Sequence, residues 1–237
     1  MRSLISIPLA AGVVLLAIAS LCPPPAAAQS VTVDEGVFII SMNGQRVGTE
    51  SFTIRRSGSG DDAQIIATAE IQLELSEGLT DLRPSLHAVG RDMAVYAYQI
   101  KVSGGHQEEL TVREGDRRYI TRVRSERGER EREFRAAPGT LLLDSDVAHQ
   151  FHFLASRLTD GATTIPVISP REGRQYELRV SEVGSESIQI GGASVQARHL
   201  RLQGEGGTRD VWLDSEDRVL RVEQGDRGYS AVRQSLP

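Results

Sequence analysis

The sequence predicts a mainly β protein: a large antiparallel curved sheet or partly closed β-barrel with one amphipathic α-helix packed on it. Short segments of alternating apolar and polar residues recur through residues 29–237. Gly, Asn and Asp turn signals separate them, and a single segment switches to the helical period.

Residues 1–28 have the zones of a cleaved secretory signal peptide: Arg2 at the positive end, an apolar run over 9–19, and Ala26-Ala27-Ala28 before the cut. The run is far shorter than the roughly 20 residues that span a bilayer, and Pro23-Pro24-Pro25 follow it. It is a removed signal, not an anchor, and the expected location is the periplasm or the cell exterior. The one cysteine, Cys22, lies inside this segment between Leu21 and Pro23, whereas a lipoprotein site needs a small residue ahead of its cysteine. A mature chain without a thiol excludes disulfides, Cys-ligated zinc and cysteine nucleophiles.

Residues 37–42 and 45–54 flank Asn43-Gly44 and form a hairpin, since Asn-Gly supplies the positive φ angles of a type I′ turn. Ala67, Ala69, Ile71, Leu73 and Leu75 alternate with polar residues, so one face of this long strand meets a core and the other meets water. Strands are expected over 82–89 and 93–102, with Tyr96, Tyr98, Ile100 and Val102 on one face. Pro84 marks the former as an edge or bulged strand.

Residues 108–135 carry nine arginines and eight acidic residues, a balance suited to cross-strand ion pairs on a solvated meander. The formal net charge of −5 and the absence of a basic patch argue against a nucleic-acid partner. Lys101 is the only lysine.

The helix is expected at about 145–158, between two strand-rich halves of one domain. Val147, Phe151, Leu154 and Leu158 share a face, Ser145 or Asp144 serves as N-cap, and Gly161 lies beyond the end. Strands then resume over 163–168, 175–182, 187–190, 195–203, 208–214, 218–223 and 229–233.

His149 and His152 share a helical face and are the candidate metal ligands, with Asp146 one turn earlier. The helical wheel places them opposite the apolar stripe, facing away from the core, and no third strong ligand is identifiable. No nucleophile elbow, phosphate loop, EF-hand or dinucleotide fingerprint is present, so no catalytic residue and no cofactor is expected. Aromatics make up 5% of the chain, and the candidate ligand-binding residues are Trp212, Tyr96 and Tyr98, with Trp212 reading first as a packing residue.

The stretches Arg209-Asp210-Val211-Trp212-Leu213-Asp214 and Arg218-Val219-Leu220-Arg221-Val222-Glu223, preceded by Leu141-Leu142-Leu143-Asp144, resemble an uncharacterised family of exported bacterial envelope proteins, a domain of unknown function of the 3108 type. The layout is also similar to LolA/LolB-type envelope carriers. The resemblance implies an envelope location and a sheet that encloses a cavity, and it transfers no site residue.

The leading expectation is a non-catalytic envelope protein that holds a lipid or other apolar ligand, or a protein partner, in a concave sheet. It would be undermined by a concavity filled with core side chains. The alternatives are a hydrolase or metal-dependent enzyme using His149 and His152, and a structural or assembly protein with a free edge near Pro84.

Overall fold

The computed structural model describes residues 30–76, 78–158 and 163–237; the expected signal peptide and Gly161 lie outside them. The first half of the sheet is an uninterrupted meander: β1 (Val31–Met42), β2 (Gln45–Ser57), β3 (Gln64–Leu75), β4 (Gly78–Val89), β5 (Ala94–Gly104), β6 (Glu108–Gly115), β7 (Arg118–Ser125) and β8 (Gly128–Arg135). A two-residue strand, β9 (Leu141–Leu142), precedes a 3-10 helix at His149–Arg157. The second half runs through β10 (Thr163–Ser169), β11 (Arg174–Ile190), β12 (Ala193–Gly204), β13 (Gly207–Leu213), β14 (Val219–Gln224) and β15 (Tyr229–Arg233).

Antiparallel pairing of β1 with β15 joins the halves into one 15-stranded sheet of order β8-β7-β6-β5-β4-β3-β2-β1-β15-β14-β13-β12-β11-β10-β9. Among the described residues only the β9–β10 pair is parallel. Among the same residues, no backbone ladder joins the sheet's two edges. Side chains link the β8 edge to the β10–β11 hairpin instead: Gln175 donates to the Arg135 carbonyl at 2.8 Å and accepts from the Arg135 N–H at 3.1 Å, and Arg132 donates to the Gly173 carbonyl. The result is a curved, barrel-like sheet that is open along one seam.

Alternation fixes which side chains enter the interior. Ile65, Ala67, Ala69, Ile71 and Leu73 of β3 are buried, as are Leu82, Leu86 and Ala88 of β4. Asn43 (φ 50°) and Gly44 (φ 79°) make the turn that the sequence predicts. Pro84 does not mark an edge: β4 lies between β3 and β5. The β3–β4 register keeps step on both sides of Pro84, and the pairs at Pro84 and Arg83 drop out of it, which accommodates a residue without an N–H.

Bulges break the alternation where the sequence reading went astray. The β4–β5 register steps from His87↔Ala97 to Ala88↔Val95, so Tyr96 is the extra residue and turns outward, 47% exposed, while Tyr98, Ile100 and Val102 stay inside. A second bulge at Val183, beside Gly184 (φ 146°), flips the far end of the β11–β12 hairpin. Ile188, Ile190 and Ala197 thereby join Trp212 and Leu220 in a smaller apolar cluster of their own, separate from the main core.

The helical segment is also not the amphipathic α-helix that the spacing suggests. It is a 3-10 run whose residues His149 to Leu154 are all buried, both histidines included. It forms a plug inside the curved sheet, and its surroundings explain why a two-sided wheel fails there.

Candidate functional site

The interior carries charges where strand alternation calls for apolar residues. Glu50 occupies the inward phase of β2 with Phe52 and Ile54 and has no exposed surface. Its carboxylate accepts the Ala148 N–H at 2.7 Å, the His149 N–H at 2.8 Å, and pairs with His149 Nδ1 at 2.6 Å. Ala148, at the N-cap of the plug, has no capping side chain of its own. Glu50 supplies that function from 98 residues away, and its negative charge suits the donor-rich start of a helical turn. The His149 ring stacks on Phe52 with centroids 5.9 Å apart.

A second buried pair lies beside it. Arg233 donates to both carboxylate oxygens of Asp34, to the Val219 carbonyl at 2.7 Å and to the Glu35 carbonyl at 3.2 Å. Its guanidinium also lies over the rings of Phe52 (5.1 Å) and Phe38 (5.7 Å). Burial pushes the Asp34 carboxyl up from its ordinary value even though Arg233 pulls the other way.

The segment before the plug is held by Asp144. It accepts from the Tyr98 hydroxyl at 2.9 Å and from Arg171 Nε at 3.1 Å, while its own N–H donates to Gln150 at 2.7 Å. Burial and the adjacent Asp144 push the Tyr98 hydroxyl far above its usual pKa. The plug's end is tied by Arg157, which donates to the carbonyls of Gly139 (3.1 Å), Met93 (2.8 Å) and Asp92.

These contacts settle the position of each candidate residue. His149 and His152 lie inward, not on a solvent face, and Asp146 is paired with Arg227 at 2.9 Å rather than with them. Among the described residues no group of three or more His, Cys, Asp or Glu side chains could hold a metal ion. Tyr98 is a buried hydrogen-bond donor and Tyr96 an exposed residue edge-on to His87. Trp212 packs in the separate cluster, stacked on His199 at 4.4 Å, under Arg221 at 4.8 Å, and donating to Glu186 at 2.6 Å. Sequence reasoning missed Glu50, Asp34, Arg233 and Arg171. The legible signal for the first three was a charge in the apolar phase of an alternating strand.

Burial pushes the His152 imidazole down from 6.5 to about 4, with His149 and Arg233 adding to the effect. The unfolded chain binds this proton near pH 6.5 and the folded chain only near pH 4, so the folded state is penalised as pH falls through that window. At 1.36 kcal/mol per unit the penalty is on the order of 3 kcal/mol at pH 4. Urea unfolding at pH 7 and pH 4 should show this extra loss in the native protein and not in His152→Gln; an equal loss in both would exclude it.

The space that combines an apolar wall with a charged rim lies at the end of the sheet that holds Leu75 and Thr80. A cavity of about 840 Å³ is walled by Leu73, Leu75, Leu82 and Val102 and rimmed by His106 and Arg127 from the hairpin loops, with Asp146 and Arg171 on the plug side. Volumes of this order suit a small-molecule ligand. A smaller space of about 300 Å³ reaches His152 near Met93 and Asp217.

Neither a protein-family model nor a curated protein matches the chain. Among solved structures, the crystal structure of a β-barrel-like protein of domain of unknown function DUF1849 from Brucella abortus is similar, with a TM-score of 0.49 and 9% identity, over 89% of this chain and 98% of that one. No helix among the described residues is long and apolar enough to cross a membrane.

Proposed function

We propose that this is an exported, non-catalytic envelope protein that binds an amphipathic ligand at the open end of its curved sheet. The observation that carries the reading is the mouth cavity itself, where inward-facing leucines and a valine meet a rim of charged and polar loop residues. The plug occupies the middle of the concavity, with Phe151, Phe153 and Leu154 buried in the main core. A deep lipid tunnel of the kind implied by a LolA/LolB-type layout is therefore replaced by a shallower site at the mouth. The signal-like zones of residues 1–28 support the location, periplasmic or extracellular.

The reading that uses His149 and His152 as catalytic groups has less support. A catalytic base must come within hydrogen-bond reach of its substrate, and the side chains of both His149 and its partner Glu50 have no exposed surface.

Native mass spectrometry of the protein purified from its host's envelope without detergent, followed by organic extraction, tests the proposal. The expected result is a co-purifying amphiphile at one per chain, reduced in Leu75→Glu, which places a charge on a half-buried cavity wall. A clean unliganded mass, together with no uptake of added amphiphiles, would contradict it.

A further inference from the structure

The seam between the sheet's edges holds chemistry that the plug network does not use. On β8 the side chains alternate. Glu129, Glu131 and Glu133 take the outer face and pair across the strand with Arg124 (3.7 Å), Arg122 (2.7 Å) and Arg118 (2.8 Å). Arg130, Arg132 and Phe134 take the other face, opposite Val123, Thr121 and Tyr119. Thr121 and Phe134 are buried, so this is the inward side.

A cavity of about 380 Å³ opens there, lined by Thr121, Arg130, Arg132, Phe134 and Arg171 among others. Among the described residues Arg130 has no hydrogen bond or ion pair, and the one hydrogen bond of Arg132 goes to the Gly173 carbonyl. Thr121 is 2% exposed, and its hydroxyl is without a partner inside the protein. The carboxylates nearby are already engaged: Glu131 by Arg122, Glu172 by the Ser145 hydroxyl at 2.6 Å and by Arg174. Arg171, for its part, is engaged by Asp144 and Asp146. Two guanidinium groups with donors to spare therefore line the same space, a donor set suited to a phosphate or carboxylate. Arg130 and Arg171 line the mouth cavity as well, so the two spaces adjoin.

We propose that Arg130 and Arg132 form an anion site in the seam, which takes the phosphate or carboxylate head of an amphiphile whose chain lies against Leu73, Leu75, Leu82 and Val102. This rests on the mouth being a ligand site and adds the charge of the ligand that it takes. Attraction through exposed arginines also makes the binding weaken with added salt.

Calorimetry on the purified protein with dodecyl phosphate, dodecyl maltoside and inorganic phosphate, each below micelle formation, tests it. Dodecyl phosphate should bind at least about tenfold tighter than either of the others, the scale of a charge-assisted hydrogen bond. The double variant Arg130→Gln/Arg132→Gln should lose that advantage; Arg132→Gln alone, at a residue outside the mouth lining, should lose part of it and leave dodecyl maltoside binding unchanged. Both arginines are exposed and the Gln175 links to the Arg135 backbone across the seam remain, so the fold persists in the double variant.

Equal binding of the phosphate and maltoside amphiphiles, unmoved by the arginine variants, would overturn the anion site while the mouth reading stands. Inorganic phosphate binding as tightly as dodecyl phosphate would overturn the amphiphile assignment and the proposed function with it. Failure of all three probes would overturn both.

Discussion

Arg233→Ala is expected to destabilise the protein by about 3–5 kcal/mol, the range for breaking one side of a buried ion pair. The loss has a specific origin. Asp34 has only 2% of its side chain exposed, and burial already pushes its carboxyl up against the pull of Arg233. Removing the guanidinium strands that carboxylate, frees the Val219 and Glu35 carbonyls, and uncovers the faces of Phe38 and Phe52. Urea midpoints measure the effect. A double replacement, Asp34→Leu with Arg233→Met, should recover most of it, because a well-packed apolar pair commonly matches a buried ionic one. A loss under about 1 kcal/mol in the single variant would show that the pair is solvated and the description of the interior wrong.

Glu50→Ala is expected to have an effect of similar size through a different mechanism. Three donors, the N–H groups of Ala148 and His149 and the His149 ring, lose their acceptor at once. Each unsatisfied buried group costs about 1–3 kcal/mol, so about 3–5 kcal/mol is expected after local relaxation. The plug loses its cap, and hydrogen exchange should rise first along 144–157 and only later in the β2–β3 ladder. Glu50→Gln keeps one acceptor and should lose less. Uniform exchange across the whole chain in Glu50→Ala would mean that the plug does not open on its own.

How much of this was legible in the sequence depends on which physical rule was being read. The β-rich class, the Asn43-Gly44 hairpin and the strand through Ala67, Ile71 and Leu73 follow from local alternation and turn chemistry, and they stand in the structure. Tyr96 could not be placed that way, because one inserted residue reverses every later side-chain direction and nothing local marks the bulge. The plug failed for a related reason. A helical wheel assumes one apolar and one wet side, whereas a segment enclosed by a sheet has no wet side. His149 is buried because a distant group, Glu50, receives it.

Glu50, Asp34 and Arg233 were nevertheless visible as interruptions of alternating apolar positions: Glu50 before Phe52 and Ile54, Asp34 before Phe38 and Ile40, and Arg233 after Tyr229 and Ala231. Such interruptions mark positions where a partner must exist. The identity of the partner is set by the topology, since β1 and β15 meet across nearly the whole chain. Arg130 and Arg132 gave no comparable signal, being two among nine arginines in a charged meander. Only the position of β8 at the edge of the sheet distinguishes them.

The most direct test of the central claim, that the ligand sits at the mouth and not within the plugged interior or on the Trp212 cluster, is a nuclear magnetic resonance titration. Isotope-labelled protein would be titrated with dodecyl phosphate and its methyl and amide shifts followed. Saturable shifts gathered on Leu73, Leu75, Leu82, Val102 and the loops around His106 and Arg127 are the predicted result. Shifts centred on Trp212 and His199, or none that saturate, would contradict it.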